Sequence, residues 1–597
     1  MSSDERNDVS PRAEAEPSAG AESRELSRRS FMGVASKLAV GAAVAGAATH
    51  AAEGSAQAKP QAANVRHSPL EEELVQQTFQ VRSELAASNA EIPIPRHVNN
   101  GDEQRYPNKI GSDTRGLPHD SFGEVDLDAW ASLIHALDTQ DNADFERVTL
   151  GGTRKLAHPL GALALNLTGI AAPQHVIPPA PALASAERAA DAIEAYWQAL
   201  LRDVPFHEYR SDTGHPLVLA AAAEINGLSG YTGPRDPSGR VTPELLFRGT
   251  ARYLDTTDRS GRRARHAVPP GVLEGPYISQ FVLKDIPYAV QSISAQLRVP
   301  VGAASNDFST NYDEWLAIQD GRPVSRSLTF DSARRLLSTG RDLAEYAHGG
   351  APAFWGASQL LGTAVAQGGL GAPLHPNNPY LTLTKTASGI STFGFGAVQA
   401  YLPLGSSREI RANYWQKWFV QRTLRPEAYG GLVHNYFVHG KDYPLHADIL
   451  ASEAVDRVFR RNGTYLLPGA YPEGAPNHSS YPGGASSIGA INATFLKAFF
   501  DESFVIPDPL QPDPRDPTRL IPYAGPPLTV GGELNKLATN LGQGRNWAGI
   551  HFRSDAAASL PQAEEVAIAI LRDEKRTFKE PFRGFELTRF DGSIVRI

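Results

Sequence analysis

Helical periodicity along most of the 597 residues, scarce strand-like alternation and Gly/Pro-rich breaks between the periodic stretches predict an all-α protein built from packed helical bundles. A chain of this length exceeds one simple core, so two or more packed units are expected. With 41% hydrophobic and 20% charged residues the composition is that of an ordinary soluble globular protein, and a net charge of −8 gives no reason to expect a nucleic-acid partner. Seven Trp, 24 Phe and 19 Tyr supply material for cores and pockets.

The first sixty residues stand apart. Ser27-Arg28-Arg29-Ser30-Phe31-Met32 follows a polar leader and precedes an Ala/Gly/Val stretch to Ala48, then Ala56-Gln57-Ala58. This resembles a twin-arginine export signal with a small-x-small cleavage site, so residues 1–58 are expected to be a signal peptide and the protein to be exported. The apolar stretch falls short of the ~20 predominantly apolar residues of a membrane span, and no membrane partner is expected. There is no Cys, and both methionines, Met1 and Met32, lie in the leader. A mature chain lacking the two most easily oxidised side chains suits an ancestry in peroxide or hypohalous acid chemistry, and compositional drift explains it equally well.

Helical patterning is expected from Leu70 to Ala87, then at Asp126–Leu137, Ala186–Leu201 and Leu217–Ile225 within an N-terminal region of residues 59–269. In the remaining region, 270–597, helices are expected at Tyr312–Gln319, Ser327–Ala347, Ala351–Gln367 and Ser407–Leu424, the last ended by Pro426. Tyr465–Gly484 reads as loop, Ser486–Phe500 as helix, Pro507–Pro527 as an extended excursion, and Leu534–Leu541 and Leu560–Leu571 as closing helices.

Three segments of the C-terminal half read as one site. Lys417-Trp418-Phe419-Val420-Gln421-Arg422-Thr423-Leu424-Arg425 sets Lys417 and Arg425 eight residues apart; His478-Ser479-Ser480-Tyr481-Pro482-Gly483-Gly484-Ala485-Ser486 is a glycine turn opening a helix; Gly544-Arg545-Asn546-Trp547-Ala548-Gly549-Ile550-His551 adds an arginine and a histidine. Guanidinium groups donate forked hydrogen bonds, lysine adds a point charge, and a helix N-terminus favours an anion. Together these suit a tetrahedral or trigonal-bipyramidal oxyanion.

In this order and spacing the segments resemble the vanadium-dependent haloperoxidases and their acid-phosphatase relatives. Gly275-Pro276-Tyr277, Asn306-Asp307-Phe308, Asn378-Pro379-Tyr380 and Thr392-Phe393-Gly394 extend the likeness over most of residues 270–560. The resemblance implies two packed four-helix bundles, commonly assembled as a dimer. It makes Lys417, Arg425 and Arg545 ligands of vanadate oxygens, Gly484 a backbone donor and His551 the nitrogen bonded to vanadium. The family turn Tyr-Pro-Ser-Gly-His is here Tyr481-Pro482-Gly483-Gly484-Ala485, so Gly483 lacks a hydroxyl and Ala485 an imidazole. Where many relatives have Phe-Gly-Gly-Pro-His, this chain has Phe393-Gly394-Phe395-Gly396-Ala397.

These departures remove the positioned acid/base that peroxide activation needs. The expectation is therefore a cofactor-free isomerase. The sequence looks like the rearranging homologue of clusters that make napyradiomycin- and merochlorin-type meroterpenoids, which shifts a prenyl group within an α-hydroxyketone (acyloin). That resemblance implies a prenylated aromatic small molecule as substrate. His551 or His478 would take the hydroxyl proton, Lys417, Arg425 and Arg545 would stabilise the alkoxide, and Trp418, Phe393, Phe395 and Trp547 are candidate pocket walls. The alternatives are a vanadium-dependent chloro- or bromoperoxidase, with vanadate on His551, and a non-catalytic binding relic.

Overall fold

The computed structural model describes residues 69–250, 252–257, 263–266, 268–349 and 353–597. The expected signal peptide lies outside them. The longer helices, in chain order, are α1 (Pro69–Glu91), α2 (Leu127–Thr139), α3 (Ala186–Leu201), α4 (Pro216–Gly227), α5 (Tyr312–Gln319), α6 (Gly340–His348), α7 (Ala353–Gly362), α8 (Phe395–Trp415), α9 (Pro426–His439), α10 (Glu453–Asn462), α11 (Gly484–Phe499), α12 (Val530–Trp547) and α13 (Arg553–Lys575). Strand among the described residues is confined to two-stranded antiparallel hairpins. One of them, Leu510–Asp513 with Asp516–Pro522, is the Pro-rich excursion.

Helices α8, α11, α12 and α13 pack around one another as a four-helix bundle, with α6 laid against α12. Close approach is built in: a Cβ on Gly489 would sit 2.9 Å from the Ala538 backbone of α12, and one on Gly405 2.1 Å from the Phe495 ring. A second group of helices, α4, α9 and α10, gathers around α3. It draws α3 and α4 from before residue 270 and α9 and α10 from after it, so the expected cut at 269/270 does not separate the two groups.

Several element expectations need correction. Of the predicted helix 327–347 only Gly340–His348 forms, begun by a Thr339 capping box, because Arg335, Ser338 and Thr339 are all tied to the Asp342 carboxylate. Pro426 starts α9 rather than ending the helix before it, since proline suits a first helical turn whose N–H has no partner. The preceding helix begins at Phe395 and passes into a π-turn at Gln416–Gln421. Pro403 and Pro561 lie inside α8 and α13.

Candidate oxyanion site

The three sequence segments meet at the end of the four-helix bundle. Lys417 sits in the π-turn, a widened turn typical of functional sites, and its ammonium is fully buried. Its Nζ donates to the Ser479 and Ser480 carbonyls at 2.7 and 2.9 Å. Arg425 precedes Pro426 and is therefore held extended, as a residue before proline must be. Its guanidinium donates from Nε to His478 O (3.1 Å), from Nη1 to Ile550 O (2.9 Å) and His551 Nε2 (3.0 Å), and from Nη2 to His478 Nδ1 (2.9 Å). The 478–483 loop is strapped to the same strand of chain by Ser480 N→Thr423 O and Thr423 N→Ser479 Oγ.

Asp555 does two jobs at the start of α13. Its Oδ2 accepts Phe552 N at 2.9 Å, capping the helix, and His551 Nδ1 at 2.9 Å, orienting the ring; the Ser480 hydroxyl also donates to it. Burial would raise this carboxyl, but the His551 N–H, Arg188 and Ser480 hold it down at about 2. Burial and Arg425 push His551 down to about 3 despite Asp555. The ring is thus neutral, with its proton on Nδ1 and a lone pair on Nε2. His478 is pushed well below the ordinary histidine value by burial, Lys417 and Arg425. Its Nδ1 lies 2.9 Å from both Arg425 Nη2, which only donates, and Ser479 O, which only accepts.

Arg545, half-buried in the last turn of α12, reaches Tyr471 Oη at 3.3 Å and lies 5.1 Å over that ring. Its charge is felt by Lys417 and Arg425, whose own values burial pushes down, Arg425 to about 10. Gly483 caps α11: its N–H donates to Asp555 O (3.0 Å), and its carbonyl accepts from Ser486 Oγ (3.1 Å) and Ser559 Oγ (2.8 Å). Its φ of −77° is open to any residue. Beside Gly484 there is space, the nearest atoms to an added Cβ being Ile410 Cδ1 at 3.8 Å and Asn413 Oδ1 at 4.0 Å. Ala485 adds no polar group to the turn.

The four proposed wall residues are placed elsewhere. Trp418 is buried in a small core with Leu117 and Trp130, its Nε1 donating to Ala157 O at 3.2 Å. Phe393 packs 4.6 Å from both Phe578 and Phe582. Phe395 opens α8, about 30 Å from Lys417 at 1.5 Å per residue. Trp547 is fully buried among Phe206, Tyr209 and Phe247. Aromatic side chains next to cationic motifs are more often core than pocket, and here all but the half-exposed Phe395 are core.

Sequence reasoning missed a carboxyl inside the cationic cluster. Asp113, 8% exposed, has an Oδ1 without a hydrogen-bond partner and is pushed up to about 6 by burial, against the pull of Arg425, Arg115 and Lys417. Its backbone N–H donates to Arg422 O at 2.9 Å, a contact 309 residues away in sequence that no local motif announces. Arg154, which donates to Ala475 O at 2.8 Å, and the buried Arg115–Glu427 pair were likewise unmarked.

Residues 464–580, which hold the turn, Arg545 and His551, match the model of the VCPO second helical-bundle domain. A vanadium-dependent bromoperoxidase of Ascophyllum nodosum is 34% identical over 515 residues, 81% of this chain and 86% of that protein. One from Corallina pilulifera is 30% identical over 86% of this chain and 96% of its own. The homohexameric structure of the second vanadate-dependent bromoperoxidase of A. nodosum superposes with a TM-score of 0.79 at 26% identity, covering 92% of this chain and 94% of that one. With its fold, its cationic turn and its likeness along most of its length in agreement, this chain belongs to the vanadium-dependent haloperoxidase family.

Proposed function

We propose that the cluster holds vanadate and that the chain is a vanadate-dependent haloperoxidase, oxidising halide with peroxide. The observation that carries this is the state of His551: neutral, its Nδ1–H held by Asp555 at 2.9 Å, and its Nε2 lone pair accepting from Arg425 Nη1 at 3.0 Å, a contact that a metal would replace. That is how a metal-binding imidazole is prepared, whereas a ring held at about 3 is a weak general base. The donor set fits an oxyanion. Among the described residues, backbone, histidine and tyrosine acceptors leave one N–H unspent on Lys417, one on Arg425 and four on Arg545. Lys417, Arg425, Arg545 and the N-terminus of α11 would hold the oxygens and His551 Nε2 the metal. When bound, vanadate supplies a Lewis acid that activates peroxide. The cations neutralise its charge, and the buried site limits water.

A second reading is favoured by one specific observation, the empty side chains at Gly483 and Ala485: an α-hydroxyketone rearrangement without redox chemistry, in which the same three cations stabilise an alkoxide. Under either reading the chain is proposed to be exported through its Arg28-Arg29 leader and to assemble from copies of itself.

One experiment separates the readings. Purified protein loaded with orthovanadate is given peroxide, bromide and a phenolic dye, and in parallel, after chelator treatment, a prenylated α-hydroxydiketone. Vanadate-dependent bromination, lost in His551→Ala, supports the haloperoxidase. An isomer of unchanged mass formed without vanadate, with no bromination, overturns it in favour of the rearrangement. Neither product leaves a binding relic.

A further inference from the structure

Away from the oxyanion site the molecule carries a cavity of about 640 Å³, large enough for a two-ring molecule. Its wall is formed by the loop after α3, the 244–248 segment, Gly275–Ile278, Leu337–Ser338 and the tip of the 510–522 hairpin. Phe206 and Tyr277 stack within it at 4.0 Å with an interplanar angle of 2°, and Trp547 backs Phe206 edge-on at 5.9 Å. Leu246, Ile278 and Leu337 add buried apolar surface. The lining is thus mainly apolar and aromatic, the composition that receives a flat organic ring.

The polar groups around it are unequally committed. At the rim, Arg210 is paired with Asp212 at 3.2 Å, and Glu244 accepts from Ser211 N and Oγ at 2.7 and 2.8 Å. Deeper in, Arg248 donates from Nη2 to the carbonyls of Val272, Glu274, Gly275 and Pro276, and among the described residues its Nε has no partner. The hydroxyl of Tyr209, 6% exposed, also has none. A buried donor left unpaired is unfavourable, and since both atoms are closed to solvent, a ligand acceptor meets them after a small turn of the side chain. Burial keeps the Tyr209 hydroxyl protonated, well above the ordinary tyrosine value, so it too is a donor.

We propose that this cavity is a second ligand site, distinct from the oxyanion cluster, for a planar aromatic carboxylate or phenolate, with the ring against Phe206 and Tyr277 and the anionic oxygen toward Arg248 and Tyr209. Trp547, which backs the wall, and Arg545 of the oxyanion cluster lie two residues apart in the last turn of α12. Occupancy of the cavity is therefore positioned to be felt at the cluster.

The test is calorimetric titration of 2-naphthoate into the full chain with saturating orthovanadate present. The expected result is sub-millimolar binding, at least tenfold weaker for neutral 2-naphthalenemethanol. Gln511→Trp, which plants a ring in the cavity from a half-exposed position in the first hairpin strand, should abolish it, and Tyr209→Phe should weaken it about three- to tenfold, both with an unchanged melting temperature. Absence of binding, displacement by orthovanadate, equal affinity for the neutral analogue, or full affinity in Gln511→Trp each overturns the proposal.

Discussion

At the scale of single residues the decisive positions are those whose side chains are small. Gly483 is not glycine for conformational reasons: its φ of −77° suits any residue, and an added Cβ would meet Ser486 Oγ at 2.8 Å, a hydroxyl that can turn aside. Ala485 begins a helix with the open space of Gly484 beside it. A serine at 483 therefore fits once the Ser486 hydroxyl turns aside, and Ala485 is half-buried beside it. Gly483→Ser with Ala485→His should raise vanadate-dependent bromide oxidation by roughly 10²–10⁴, the usual worth of a positioned acid/base. Steady-state dye bromination measures it. An unchanged rate would show that another group, such as the buried Asp113 carboxyl, already does that work. The gathering of Lys417, Arg425, Arg545 and His551 in one place was legible because charged residues and a glycine turn at fixed spacing are rare. Asp113, which lies 304 positions before Lys417, and Asp555, which orients His551, carried no such mark.

At the scale of elements, α8 carries a buried acid that periodicity cannot reveal. Glu409 is 0% exposed, both carboxylate oxygens lack hydrogen bonds, and burial pushes it well above the ordinary glutamate value while the nearby Ser487 hydroxyl pulls the other way. A carboxyl whose folded value is raised binds its proton more tightly when folded. Its contribution is fully present below the unfolded value near 4.5 and is lost as pH rises toward the folded value. Each unit of difference is worth about 1.4 kcal/mol. Glu409→Gln should therefore be more stable than the parent at pH 8 and nearly equal at pH 4.5. Urea denaturation across that range reads it, and parallel curves for the two proteins would refute it. Asp113 and Asp191, raised to about 6 and 7, are present in both and cancel. The same helices show why element boundaries were only partly legible. Ala186–Leu201 and Tyr312–Gln319 came out as expected because apolar spacing and caps coincide there. Pro403 and Pro561 sit inside helices because bundle packing outweighs one lost hydrogen bond, and Pro426 was misread because proline marks a start as readily as a stop.

At the scale of the whole molecule, the two helix groups are tied by buried charge. Arg553 of α13 is paired with Glu194 of α3 at 2.7 Å, and Arg202 and Arg341 share Asp307. Against this interior α1 is an exception. Its 23 residues include none that are buried; only Gln77, Val81, Leu85 and Asn89 are half-covered, while Val75 and Phe79, on the opposite side of the helix, are 65% and 70% exposed. A helix with so little tertiary contact is marginal by itself, since most helical stability in proteins comes from a packed face. Under the self-assembly proposed above, a second copy of the chain would cover it; the related A. nodosum enzyme is a homohexamer. Phe79→Glu should then shift the molecular mass measured by light scattering toward the monomer at micromolar concentration, because a charge in an apolar contact is strongly disfavoured. The oxyanion site shares no residue with α1, so bromide oxidation per chain should be retained. An unchanged oligomer would place the assembly surface elsewhere and leave Phe79 a solitary exposed ring.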